Sequence, residues 1–202
     1  CGTIQRTTHT NRDYDLAEFE VPALRWADIS EGDYGVSVLN DCKYGYDVKG
    51  NTLRLSLLRA PIDPDPNADE GGHDFTYSLL THVGDWRVAT VREGIDLNVP
   101  LMAKASPVSE GTLPPVGSFA EVDAEHVILE TIKCAEDSDA IIVRLYEAYG
   151  QRGYVTLRFA RAPKRMFECD LLEENDMPLD VKDNAVELYM TPYKICSLKV
   201  IF

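Results

Sequence analysis

Short segments with a two-residue period restrict this chain more than any other feature. Residues 52–58 read TLRLSLL, and Leu53, Leu55 and Leu57 recur at every second position. Successive side chains leave a strand on opposite sides, so this period belongs to a strand with one buried face. The same period runs through 73–79, where Phe75, Tyr77 and Leu79 share a face, and more weakly through 34–39. Residues 127–132, 141–146, 154–159, 166–171 and 193–201 are also strand-like. Turn-forming residues stand between them: Gly50-Asn51, Glu136-Asp137-Ser138-Asp139 and Gly150-Gln151-Arg152-Gly153. Strands of this length and spacing predict an all-β protein built as an antiparallel β-sandwich followed by a second one. One segment departs from the pattern: residues 86–97, WRVATVREGIDL, predict a helical turn or two.

With 45% hydrophobic residues in 202, the chain can bury a core. Two Pro- and Gly-rich stretches interrupt it, APIDPDPNADEGG at 60–72 and ASPVSEGTLPPVGSFAEVDA at 105–124. The second reads as a linker or surface crossing and divides the chain into 1–104 and 125–202. A net charge of -14 opposes nucleic-acid binding and anionic membrane surfaces. No apolar run approaches the roughly 20 residues of a membrane span. The opening, CGTIQRTTHTNRDYD, has no initiator Met and no apolar leader, and predicts a piece of a longer protein. The five cysteines, Cys1, Cys42, Cys134, Cys169 and Cys196, form no CxxC pair. They are expected to be small buried hydrophobes in a reducing compartment.

Complete active-site motifs are missing. His9, His73, His82 and His126 have no metal-ligand spacing, and no GxSxG, P-loop or GxGxxG occurs. Asp63, Asp65, Asp69 and Glu70 lie in the first Pro-rich loop without an EF-hand pattern and read as a solvated face. Cys42 beside Lys43 has the neighbour that would activate a thiol, but a residue between Asp41 and Lys43 is more readily expected to pack inward. The richest stretch is residues 40–61, NDCKYGYDVKGNTLRLSLLRAP. Asn40, Asp41, Lys43, Tyr44 and Asp47 crowd its start. Two readings stay open: a hydrogen-bonded corner, or one wall of a site.

Residues 26–61, WADISEGDYGVSVLNDCKYGYDVKGNTLRLSLLRAP, resemble the C-terminal region of the glycoside hydrolase family 38 α-mannosidases. The nearest branch holds bacterial, fungal vacuolar and animal cytosolic enzymes, with W-x-D-L-S-E followed by L-N-D-x-K-Y-G. The likeness includes Ile4 to Asn11, Phe19-Glu20-Val21, and the D-x-G-x-H-x-F-x-Y-x-L element at Asp69, Gly71, His73, Phe75, Tyr77 and Leu79. It continues through Val127 to Asp137 and Ile142 to Glu147. Ile29, Thr8 and Leu24 depart from the usual Leu, Pro and His.

The resemblance implies several things at once. Residues 1–104 would be the end of the family's large, galactose mutarotase-like supersandwich, 105–124 a crossing loop, and 125–202 the small C-terminal sandwich. Retaining hydrolysis of terminal α-mannosides, with zinc and two carboxylates, would belong to an N-terminal catalytic domain of the same polypeptide. This chain would then carry no catalytic residue and no metal. Its partners would be that domain and the α-mannoside, with no nucleic acid or membrane; excised surfaces would favour a homo-oligomer. The branch implies a cytoplasmic protein. Asn40, Asp41, Lys43, Tyr44 and Arg59 become the candidate substrate-binding residues. A competing expectation is an independent carbohydrate-binding sandwich, with Trp26, Trp86 and Tyr46 as its sugar platform.

Overall fold

The computed structural model describes residues 2–108 and 110–202; Cys1 lies outside the described residues. The chain is mostly β and antiparallel and forms two compact units. One is Gln5–Ser106, and the other joins residues 2–4 with Pro107–Phe202.

In the Gln5–Ser106 unit the order is α1 (Asp13–Ala17), β1 (Val21–Pro22), β2 (Trp26–Ser30), β3 (Gly35–Asn40), β4 (Gly45–Lys49), β5 (Thr52–Ser56), β6 (Tyr77–His82) and α2 (Thr90–Asn98). Two three-stranded sheets result, β1-β4-β5 and β2-β3-β6. Lys49 pairs with Thr52 across the Gly50-Asn51 loop. Helix α2 packs on β2 and β3. Among the described residues, only Leu39, Tyr46 and Val91 are buried hydrophobes of this unit, beside the buried polar Asp15, Ser37, Asn40, His82 and Thr90. Each such polar group needs a partner inside the fold. Hydrogen bonding, as much as apolar burial, therefore specifies this unit.

Two strand expectations differ from the fold, while the helical turns expected at 86–97 are present. The strand expected at 73–79 is Tyr77–His82, and Tyr77 and Leu79 are 54% and 69% exposed. Ser78, Leu80 and His82 face inward instead. Apolar alternation picked the wrong face because His82 is buried through its partners, described below, and not through hydrophobicity. Leu57 lies beyond β5 and is exposed, while Leu53 and Leu55 are half-buried. The helical turn or two expected at 86–97 is the nine-residue α2, which buries Thr90, Val91 and Gly94.

In the other unit, β7 (Ala120–Val122), β8 (Val127–Cys134), β9 (Ile141–Glu147), β10 (Gly153–Phe159), β11 (Arg165–Cys169), β12 (Met177–Pro178), β13 (Ala185–Met190) and β14 (Ile195–Ile201) build a sandwich. Its sheets are β12-β11-β14-β9-β8 and β13-β10-β7. Val143, Leu145, Met166, Leu198 and Val200 from the first meet Val155, Leu157, Phe159, Val186, Leu188 and Met190 from the second in one core. Each side chain buried this way contributes about 1.5–3 kcal/mol. Phe119, Phe159 and Phe202 pack ring to ring with centroids 5.6–6.0 Å apart. The stretch 105–124, expected to be all linker, contains β7, because Val122 and Ala120 pair with Leu157 and Phe159.

One buried acid organises the turns of this sandwich. Glu147, fully buried at the end of β9, accepts backbone N–H bonds from Tyr149, Gly150 and Tyr193, each 2.8 Å. Burial pushes its carboxyl up, but these N–H groups prevail and hold it below the usual range.

The cysteines divide. Cys169 and Cys196 are buried, and burial pushes the Cys196 thiol up to about 12. Cys42 and Cys134 are exposed, against the expectation of burial. Both sit beside charged side chains at the edge of an element, where a small thiol is tolerated without packing.

Candidate functional site

The corner after β3 is held from within. Asn40 is wholly buried; its Nδ2 donates to the Leu24 carbonyl at 3.0 Å and to the Tyr46 hydroxyl at 2.5 Å. Its Oδ1 accepts from the Lys43 N–H at 2.7 Å. The amide is thereby consumed by the fold. Asp41 Oδ1 accepts the Thr76 N–H at 3.0 Å, and the Asp41 N–H donates to the Thr76 carbonyl at 3.2 Å. The Cys42 thiol and the Asp41 carboxylate act on each other, lowering the pKa of the acid and raising that of the thiol. Cys42 is thus disarmed as a nucleophile despite Lys43. Tyr44 is half exposed, and its carbonyl accepts from the Ala23 N–H at 3.0 Å.

Lys43 and Arg59 are brought together. They line an open cleft with Glu20, Gly45, Ser56 and Asp69. Lys43 Nζ stands 5.1 Å from the centre of the Phe75 ring. Glu20 accepts from the Ser56 hydroxyl. Asp69 accepts the backbone N–H of Ala60 at 2.8 Å and of Arg59 at 3.3 Å, which holds its carboxyl below the usual range. Among the described residues the Arg59 guanidinium has no hydrogen-bond or ion-pair partner. The cleft therefore offers a planar fork of N–H donors, an ammonium and two acids to anything that enters it. Asn40, Asp41 and Tyr44 do not line it.

Sequence reasoning missed a second polar group. Asp28 and Ser37 are cross-strand partners, and Gly35 pairs with His82. The Ser37 hydroxyl donates to Asp28 Oδ2 at 2.7 Å, and His82 Nε2 lies 2.7 Å from the same oxygen. Thr90 of α2 joins through its hydroxyl, 2.7 Å from that of Ser37. An acid, a histidine and a serine meet, yet not as a relay. One histidine nitrogen, Nε2, faces both Asp28 and Ser37, at 2.7 and 3.2 Å, and Nδ1 has no partner among the described residues. A relay needs the base held through one nitrogen and working through the other. The group instead ties helix to sheet. Its signal in the sequence was period-two placement of polar residues, which pattern reading discards.

The three aromatics expected as a sugar platform pack against the fold. Trp26 and Trp86 stack on each other, centroids 5.4 Å apart, and Arg87 covers Trp86 at 4.4 Å. Tyr46 is only 1% exposed. Among the described residues no three His, Cys, Asp or Glu side chains are arranged to hold a metal. No helix among them is long and apolar enough to cross a membrane.

The architecture is mostly β and antiparallel, with a polar cleft in the Gln5–Ser106 unit. Residues 1–67 match the family model of the glycosyl hydrolases family 38 C-terminal domain, and residues 126–198 match that of the family 38 C-terminal beta sandwich domain. Over 99% of its length the chain is 42% identical to alpha-mannosidase 2C1 of Mus musculus, covering 20% of that protein. It is 33% identical over its whole length to an alpha-mannosidase of Saccharomyces cerevisiae, again covering 20%. The crystal structure of an alpha-mannosidase from Enterococcus faecalis V583 superposes with a TM-score of 0.80 over 98% of this chain and 23% of that one, at 18% identity, which speaks to fold. The chain belongs to the C-terminal region of glycosyl hydrolase family 38. It spans about a fifth of the length of the curated relatives it matches.

Proposed function

We propose that this chain is the non-catalytic C-terminal module of an α-mannosidase that hydrolyses terminal α-mannosides. It packs on the catalytic domain of the same polypeptide, and Lys43 and Arg59 line the substrate pocket there. Arg59 carries the second part of this reading. An unpartnered guanidinium beside an ammonium, in a chain of net charge -14 with acids to spare, is left unpaired for a ligand. Its directed donors suit sugar hydroxyls or an acid needing orientation. Asn40, Asp41 and Tyr44 serve by shaping the corner that presents Lys43. Zinc belongs with the catalytic domain, where it would hold the nucleophile and the sugar hydroxyls. The unpaired thiols of Cys42, Cys134, Cys169 and Cys196 suit a reducing, cytoplasmic setting.

The isolated 202-residue chain, supplied with zinc and an aryl α-mannoside, is expected to show no hydrolysis above the uncatalysed rate. Release of the aryl group by the pure chain would contradict the assignment of catalysis elsewhere.

A further inference from the structure

We propose that Asp69 is a positioning residue, whose carboxylate holds the backbone at Arg59 and Ala60 and so sets the direction in which Arg59 enters the mannoside pocket. The inference rests on the reading of the Lys43–Arg59 cleft given above.

Strand β5 ends at Ser56, three residues short of Arg59. Leu57 and Leu58 are 38% and 52% exposed, so packing holds this segment weakly. What captures it is the pair of N–H bonds from Arg59 and Ala60 to one oxygen of Asp69. Ala60 has φ 45, a left-handed conformation uncommon for alanine that the two bonds to Asp69 help to hold, and Asp69 has φ 62, which aspartate tolerates. Asp69 is itself anchored: its carbonyl accepts from His73 Nε2 at 2.8 Å. Beyond His73, Phe75 lies under the Lys43 ammonium and Thr76 is bonded to Asp41 in both directions. A chain of contacts thus runs from Asp41 and Lys43 through Thr76, Phe75 and His73 to Asp69, and ends on Arg59. Both cations of the cleft are thereby tied to the segment 69–76. The same contacts also account for the spacing of the D-x-G-x-H-x-F element, since each of Asp69, His73 and Phe75 makes one link.

Asp69 works here as an acceptor of backbone N–H bonds, not as the counter-ion of Arg59. Asparagine keeps an oxygen at the same place; alanine does not. The test measures kcat/KM on an aryl α-mannoside in the full-length polypeptide for wild type, Asp69→Ala, Asp69→Asn, Arg59→Ala and the Asp69→Ala/Arg59→Ala double variant. Misdirecting a pocket residue by an ångström costs up to about a hundredfold, so Asp69→Ala is expected to lose about tenfold or more. Asp69→Asn is expected to stay within about threefold of wild type, since the acceptor geometry survives. In the Arg59→Ala background, Asp69→Ala should lose nothing further. Wild-type kcat/KM in Asp69→Ala, with a loss in Arg59→Ala, would overturn the positioning role and leave the cleft standing. So would equal losses from Asp69→Ala in both backgrounds. A loss in Asp69→Asn with unchanged thermal unfolding would overturn it as well, even where Asp69→Ala does not fold. Full activity in Arg59→Ala would overturn the cleft reading and this proposal together.

Discussion

Gly35→Ala is expected to destabilise the Gln5–Ser106 unit by about 3 kcal/mol, at the upper end of overpacking costs. Gly35 lies opposite His82 in the β3–β6 register. A Cβ there would stand 2.1 Å from His82 Cε1, 2.7 Å from Nε2 and 2.9 Å from Nδ1. The ring has no room to retreat, because its side chain is 2% exposed and bonded to Asp28. Moving it would break its contacts with Asp28 and Ser37 inside a unit that has few buried hydrophobes to compensate. Both tryptophans, Trp26 and Trp86, lie in this unit, so their fluorescence reports its unfolding separately from the sandwich. For a unit of this size, the midpoint should fall by roughly 10 °C or more. An unchanged fluorescence midpoint would show that the His82 layer does not hold the unit.

Glu147→Gln should do comparable harm to the other unit. One carboxylate there accepts the N–H bonds of Tyr149, Gly150 and Tyr193. Glutamine keeps one oxygen and turns an NH2 toward donors, so buried N–H groups lose their acceptor at a cost of about 3 kcal/mol. The turn offers little relief: Gly150 has φ 75, and a Cβ there would meet the Tyr193 hydroxyl at 2.9 Å. The sign with pH follows from the depressed carboxyl. A folded-state pKa below the unfolded one gives stability that is present above the unfolded value and lost as pH falls through the folded one. The gap between wild type and Glu147→Gln, measured by circular dichroism in urea, should therefore be largest at neutral pH and shrink in acid. A gap independent of pH would count against the carboxylate as the source.

The sandwich of the C-terminal unit was legible in the sequence because its strands are apolar, β-branched and aromatic runs bounded by turn residues. Ile141–Glu147 and Gly153–Phe159 lie where those runs placed them, within a residue at each end. The Gln5–Ser106 unit was less legible for a physical reason. Its inward faces carry Asp28, Ser37, Asn40 and His82, which a hydrophobic pattern assigns to solvent. Hence β6 was expected on its outward residues, and β2 and β4 lay outside the predicted strands. The cleft was half legible. Arg59 and Lys43 stood out as cations at the ends of the richest stretch, and both line it. Glu20 and Asp69 reach it from 23 residues before Lys43 and 10 after Arg59, by folding that no local pattern encodes. Asn40 stood out equally, yet its amide closes the corner, because only the fold decides which polar residue is left without a partner.

Whether this region completes a mannoside pocket is decided by Arg59 in the full-length polypeptide. Arg59→Ala is expected to lower kcat/KM on an aryl α-mannoside by about a hundredfold, the effect of losing a directed charged contact. Arg54→Ala, on the exposed face of β5 where it pairs with Asp47, should stay near wild type. Equal activity in the two variants, both folded, would contradict the account and leave Arg59 a surface residue.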